Sequence, residues 1–356
     1  MLIIDASAPD PSRDSGSLRM HAFLQLLREA GWQIDFVADD GAASVHDIER
    51  LAQIGVSYRS GNILPWLRRE GARIDSVVLS RAPIAAQYRS LIRKFAPQAQ
   101  LVFDTVDLHF LRERRGAAVA GSKILQRQAD ATLQQELGLI RDSDLCLVVS
   151  EEERRMLAEL LPGTRVELLS NIHQVHGRSA SFEERRDLLF VGGFSHPPNL
   201  DAMQWFIREV LPIVRLQAPK IRLHVVGDIT PQASETLRGE GVELHGRVED
   251  LSALMEASRL SVAPLRFGAG VKGKVNLAMS YGLPVVLTPI AAEGMHLLDG
   301  RDALIAESPS DFAAAVLRAY SDPVLWRELS DAGLRNIQKY FSVDVARQQV
   351  NRIFPA

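Results

Sequence analysis

This sequence predicts an α/β protein built of two similar domains, and three observations carry that expectation. Short apolar runs alternate with amphipathic helical stretches along nearly the whole chain. Several of the runs are continuously apolar, the pattern of strands that helices cover on both faces. The same layout occurs twice, in 356 residues of which 46% are hydrophobic, more than one ordinary core accommodates.

In the first half the expected strands are Leu2–Ser7, Ile34–Ala38, Ser76–Ser80, Gln100–Thr105, Leu145–Ser150 and Val166–Leu169. In the second half they are Asp187–Gly192, Arg222–Gly227, Val242–His245, Leu260–Pro264, Pro284–Leu287 and Ala303–Ala306. Helices lie between them. Leu18, Ala22, Phe23, Leu26, Leu27 and Ala30 form one apolar stripe, which Gly31 ends. Ala202, Trp205, Phe206 and Val210 form another, interrupted by Pro212. The stretch from Ile172 to Arg186 is polar and weakly patterned, and is the expected linker. The domains are therefore expected over 1–175 and 185–340. Helices follow around Val324–Tyr340 and Val343–Ile353, and the segment 341–356 is expected to return to the first domain.

Net charge is −3, which gives no basic excess for a nucleic-acid partner. The single cysteine, Cys146, lies in an apolar run and reads as a small core hydrophobe. No apolar stretch approaches the roughly 18 residues of a membrane span. MLIIDASAPD lacks the charged start of a signal peptide, so a cytoplasmic location is expected. The chain opens almost directly in a strand pattern, as a domain cut from a longer protein would.

One GxGxxG occurs, Gly268–Gly273, and GxxxxGK at Gly268–Lys274 is followed by Val275 where a P-loop nucleotidase carries Ser or Thr, which argues against that class. The most informative segment is Phe267–Lys274, FGAGVKGK, between a strand and a helix running to about Tyr281. Gly268, Gly270 and Gly273 let backbone amides approach a ligand. The helix start adds unpaired amides and a positive dipole end, to which Lys272 and Lys274 add full charges. The chain's other lysines are Lys94, Lys123, Lys220 and Lys339 alone, so this pair reads as an anion site, for a diphosphate. A solvated loop is the plain alternative.

Thr288–His296 follows another strand, and its small residues lead into Glu293, Gly294 and Met295. Glu293 reads equally as a ligand for a sugar or ribose hydroxyl and as a residue favouring a helix start. Gly192–Asn199 joins the first strand of domain two to its first helix. Gly193 permits close approach, and Asn199 reads as a helix N-cap or a ligand contact. In domain one, Gly16 and Ser17 occupy the corresponding loop, beside Arg13 and Asp14. Asp107, His109 and Arg112 follow Gln100–Thr105, and His109 is the catalytic candidate against a surface or capping role. All these loops lie at the C-terminal ends of strands, where open α/β sheets bind ligands. No metal-ligand cluster is evident; His173 and His176 lie in the expected linker without partners.

The stretches DSGSLRMHAFLQLLREAGW, FDTVDLHFLRER, LLFVGGFSHPPNLDAMQWF and VAPLRFGAGVKGKVNLAMSYGLPVVLTPIAAEGM make the chain resemble the GT-B-fold glycosyltransferases of family 4, which include many bacterial polysaccharide and lipopolysaccharide (O-antigen) enzymes. The resemblance spans about residues 5 to 300. It implies two Rossmann-like domains facing a cleft, a nucleotide-sugar donor on the second, and a retaining transfer that needs no metal or other cofactor. By position it implies Gly16 and Ser17 at the donor phosphates, Lys272 and Lys274 at the diphosphate, and Arg247 and Val248 by the base. Glu293, Gly294 and Met295 would offer amides to the donor, and His109 would stand near the sugar. Many members carry two glutamates where this chain has Ala269 and Leu277, so the donor contacts must differ.

The acceptor expected from the resemblance is a glycan or lipid-linked glycan, met by first-domain loops near Ser57–Trp66 and Phe110–Lys123. Arg112, Arg114 and Arg115 read as contacts for an anionic acceptor or a lipid-phosphate surface, with a peripheral place at the inner membrane face, or as a solvated helix face. A nucleotide-sugar epimerase and a non-catalytic nucleotide-sugar-binding domain are the alternatives on the same fold.

Overall fold

The computed structural model describes residues 1–355 and divides into two compact units. The first comprises Met1–Ile172 with the segment from Ala346 onward, and the second His173–Val345.

The first unit carries seven parallel strands: β1 (Leu2–Asp5), β2 (Asp35–Ala38), β3 (Ser57–Tyr58), β4 (Ser76–Ser80), β5 (Gln100–Asp104), β6 (Leu145–Val148) and β7 (Val166–Leu168). Their order is β3-β2-β1-β4-β5-β6-β7. Six match expected runs, each to within a few residues. β3 was not expected, because two half-exposed residues at a sheet edge leave no apolar run. The helix Ser15–Glu29 starts where Asp14 accepts the Ser17 amide at 2.8 Å, and buries Phe23, Leu24 and Leu27. Cys146 is wholly buried, and burial pushes its thiol up. From Ala346 the last helix, Val343–Ile353, counts with this unit. There Arg347 pairs with Glu29 at 2.9 Å, Arg352 with Glu167 at 3.0 Å, and the Trp32 indole donates to the Phe354 carbonyl at 3.0 Å.

The second unit carries six parallel strands: β8 (Arg186–Val191), β9 (Leu223–Val226), β10 (Val242–Gly246), β11 (Ser258–Ala263), β12 (Val285–Leu287) and β13 (Leu304–Ile305), in the order β10-β9-β8-β11-β12-β13. Apolar side chains of the central strand β8 pack on both sheet faces. Leu188 and Phe190 join one cluster with Leu223, Phe312 and Trp326, while Leu189 joins the other with Val226, Met279 and Phe341.

Two expectations are corrected. Ile172–Arg186 is not a free linker: from His173 onward it belongs to the second unit. His173 is buried, and burial pushes its imidazole down to about 4. Arg185 is fully buried and donates to the carbonyls of Met255 at 2.7 Å and of Ser258 and Tyr281 at 3.3 Å. Backbone acceptors offset its desolvation and leave no apolar signal in the sequence. Pro212 does not break its helix. Pro197–Trp205 and Leu211–Gln217 join through a π-helical stretch, Phe206–Val210, which absorbs the lost amide. Among the described residues no helix is long and apolar enough to cross a membrane.

Candidate active site

Each sheet reverses its strand order once, between β1 and β4 in the first unit and between β8 and β11 in the second. The crevice outside the C-terminal strand ends at such a reversal is where open α/β sheets take ligands. The loops after these four strands carry Gly16, Ser17, Gly193, Asn199, Lys272 and Lys274, while the other candidates follow β5, β10 and β12.

In the second unit, the loop after β11 leads through Phe267–Lys272 into the helix Gly273–Ser280. Lys272 stands at the N-cap position and is only 7% exposed. Its ammonium donates to the carbonyls of Gly270 and, at 3.3 Å, of Ala269. Gly270 makes this turn at φ 65°, a left-handed conformation that favours glycine. The loop thus holds a positive charge at a helix N-terminus, where it adds to the dipole.

Lys274 points elsewhere. Its ammonium donates to Asn199 Oδ1 and lies 4.4 Å from the centre of the Phe190 ring. Burial, and then the neighbouring Lys272 charge, pull it down to about 7. Asn199 is not a helix N-cap; His196 holds that position, and Asn199 lies in the first turn, 5% exposed. Its Nδ2 donates to the Gly193 carbonyl at 2.7 Å. Asn199 therefore ties the β8 loop to Lys274, and both its amide atoms are engaged. A Cβ on Gly192 would meet Asn199 Nδ2 at 2.8 Å and Lys274 Nζ at 2.9 Å, so a larger residue there would displace those side-chain ends.

The remaining second-unit candidates are spread over other loops. Glu293 follows the short helix Pro289–Ala292 at its C-terminal end, so its reading as a helix-start acid is excluded. Gly294 turns at φ 74°. The Met295 amide donates to Ala292 O at 3.1 Å and its side chain is wholly buried, so that amide is already used. Arg247 is exposed after β10, and Val248 packs partly on the core.

In the first unit, Ser17 is buried and committed. Its hydroxyl donates to Asp14 at 3.0 Å and accepts from Arg13 at 2.8 Å, and its amide goes to Asp14. Gly16 remains next to Arg81, whose Nη2 a Cβ would approach to 2.9 Å. Arg81, missed in the sequence among many arginines, follows β4 at φ 78° and donates to Asp5 Oδ1 at 2.9 Å. Burial pushes the Asp5 carboxyl up, and the Arg81 guanidinium only partly offsets this. Val106, after β5, also has a positive φ, 64°, which is costly for a β-branched residue. Two such residues at neighbouring strand ends are typical of a ligand site.

His109 opens the helix His109–Val119. Its Nε2 lies 3.2 Å from Asp107 Oδ1, and Arg112 pairs with the other Asp107 oxygen. Buried Glu136, also missed in the sequence, accepts the His109 amide at 3.1 Å and the Phe110 amide at 2.9 Å, which fixes the helix start. The His109 side chain is 20% exposed. Ser57–Trp66 and Phe110–Lys123 are largely structured, with β3, the helix start capped by Asn62, and the His109–Val119 helix. Arg114 there pairs with Asp130 at 2.8 Å.

Residues 185–322, most of the second unit, match the family model described as "Glycosyl transferases group 1". A Klebsiella pneumoniae protein, "Uncharacterized 44.6 kDa protein in cps region", is 31% identical over 140 residues. That match covers 37% of this chain and 36% of the relative's length. Solved structures resemble the fold over almost the whole chain. Sucrose-phosphate synthase from Thermosynechococcus elongatus has a TM-score of 0.72 at 16% identity, covering 99% of this chain and 97% of that one. HepE from Anabaena, in complex with UDP and glucose, has a TM-score of 0.73 at 13% identity, covering 99% and 98%. The α/β fold with two parallel sheets is that of GT-B glycosyltransferases. Together with the matched segment it supports a glycosyltransferase.

Proposed function

We propose that the chain is a retaining glycosyltransferase. It moves a sugar from a nucleoside-diphosphate sugar to a glycan or lipid-linked glycan acceptor, with no metal needed at the diphosphate. The observation that carries this is Lys272, sheltered in its glycine-rich loop at the start of Gly273–Ser280, beside the strand reversal and inside the matched segment. As the bond to the sugar breaks, negative charge develops on the leaving diphosphate. A positive charge and helix-start amides beside it stabilise that state. Lys274 acts one step behind, holding Asn199 and through it the Gly193 loop. Gly16 and Arg81 would meet donor or acceptor oxygens from the first unit, and His109, held by Asp107, would contact the donor sugar. The relative in a cps region favours a polysaccharide acceptor.

Thermal shift with a panel of nucleoside diphosphates tests the donor site. At a hundredfold excess over Kd, binding stabilises the native state by about 2.7 kcal/mol. The expected result is a rise in Tm for at least one diphosphate, with or without magnesium. Lys272→Ala should weaken that binding by about 1.5–3 kcal/mol, while Lys94→Ala, on an exposed helical surface, leaves it unchanged. No shift across the panel, or a shift only with magnesium, contradicts the reading.

A further inference from the structure

Outside the loops discussed above, four polar side chains meet on one face of the second sheet. Strands β8, β9 and β10 lie side by side, with Leu189 opposite His224 and His224 opposite Glu243. Side chains alternate along a strand, so Asp187, His224, Glu243 and His245 share the face opposite Leu188, Leu223, Val225 and Leu244. The sequence conceals this, because His224 is 19 or more residues from its partners and the cluster forms only through strand pairing.

The geometry is that of a ligand set. His224 Nδ1 lies 2.9 Å from His245 Nε2 and 3.2 Å from Glu243 Oε2, and the three ligand atoms lie within 4.8 Å of one another. A tetrahedral zinc ion with ligands at about 2.0–2.2 Å sets them roughly 3.3 Å apart, close to these separations. Behind the first imidazole, Asp187 Oδ2 stands 3.4 Å from His224 Nε2. A carboxylate there fixes the tautomer that directs the Nδ1 lone pair to the shared point. Arg222 does not fill that point. Its Nη1 donates to the other Glu243 oxygen, Oε1, at 2.6 Å, and its Nη2 donates to Asp187 at 3.0 Å. His245 is exposed, which leaves a fourth position to water. Two imidazoles and one carboxylate suit zinc rather than magnesium or calcium, which prefer all-oxygen shells.

We propose that His224, Glu243 and His245 bind one zinc ion, which clips β9 to the edge strand β10 and fixes His245, two residues before Arg247. None of these ligands belongs to the glycine-rich loops, so the proposal stands apart from the functional reading.

The test is calorimetric titration of the full chain, stripped with a chelator that is then removed, using zinc chloride and magnesium chloride in parallel. The expected result is saturable binding of one zinc per chain, no response to magnesium, and a higher Tm with zinc. His245→Ala and Glu243→Gln should each weaken zinc at least about tenfold. Both side chains lie at the sheet surface, so the metal-free Tm of each variant should stay near that of the parent. His46→Ala, at an exposed histidine elsewhere, should change nothing. Absence of saturable zinc binding, or equal zinc affinity in the parent and His245→Ala, overturns the proposal.

Discussion

His109 and Asp107 form a pair 3.2 Å apart at the start of a helix, in a loop that turns through Val106 at positive φ. Glu136 holds the two amides beneath it, so the backbone there does not depend on the imidazole. If His109 contacts the donor sugar, His109→Ala lowers turnover at least about tenfold, roughly 1.4 kcal/mol of transition-state stabilisation. Affinity for a free nucleoside diphosphate, which lacks the sugar, stays the same, and so does Tm. Steady-state kinetics and melting of the one variant separate the roles. Preserved specific activity with a lower Tm would make His109 structural. At this scale the sequence was legible where a residue type is scarce or follows a strand. Lys272 and His109 stand out that way. Arg81 and Glu136 do not, because nothing local distinguishes them from the other arginines and glutamates of the chain.

At the scale of elements, the loop after β8 and the start of the helix Gly273–Ser280 are joined through Asn199 and Lys274. That junction makes stability depend on pH. Burial lowers the Lys274 ammonium to about 7, against 10.5 in an unfolded chain. Below about pH 7 both states carry the proton, and the native state bears the full penalty of a buried charge. As pH rises from 7 towards 10, the unfolded chain holds a proton that the native state lacks, and the penalty is relieved. Stability relative to Lys274→Met should therefore rise over that range, as urea denaturation at several pH values would show. A constant difference would place Lys274 in solvent.

The strands were legible at this scale because apolar side chains lie on both faces of most of them, so most appear as continuous runs. The second unit's His173–Arg186 segment was not. It is held by buried polar groups and backbone carbonyls, as Arg185 shows, and polar burial has no periodicity. Where the Lys274 amine points was not legible, for a similar reason. Spacing put it at the helix start, but only packing decides that its amine turns to Asn199. The β9–β10 histidine cluster is likewise invisible before the strands pair.

At the scale of the whole molecule, each unit is a parallel sheet with one strand reversal; Gly16 and Arg81 follow the reversal strands of the first, and Asn199, Lys272 and Lys274 those of the second. Asp107, His109 and Arg81 lie in the first unit, and Lys272 in the second. The repeated layout was legible because it recurs in the sequence. The assignment of the segment from Ala346 to the first unit rests on contacts far apart in the chain, such as Trp32 with Phe354. The central claim is that these groups transfer a sugar with retention and do not merely bind or epimerise a nucleotide sugar. Proton NMR of the full chain with an α-linked nucleotide sugar tests this most directly, followed from the earliest times, with and without an added glycan acceptor. The account predicts release of the nucleoside diphosphate and first appearance of the sugar as the α anomer, free or linked to the acceptor. First appearance of the β anomer, or conversion to a different intact nucleotide sugar, would contradict it.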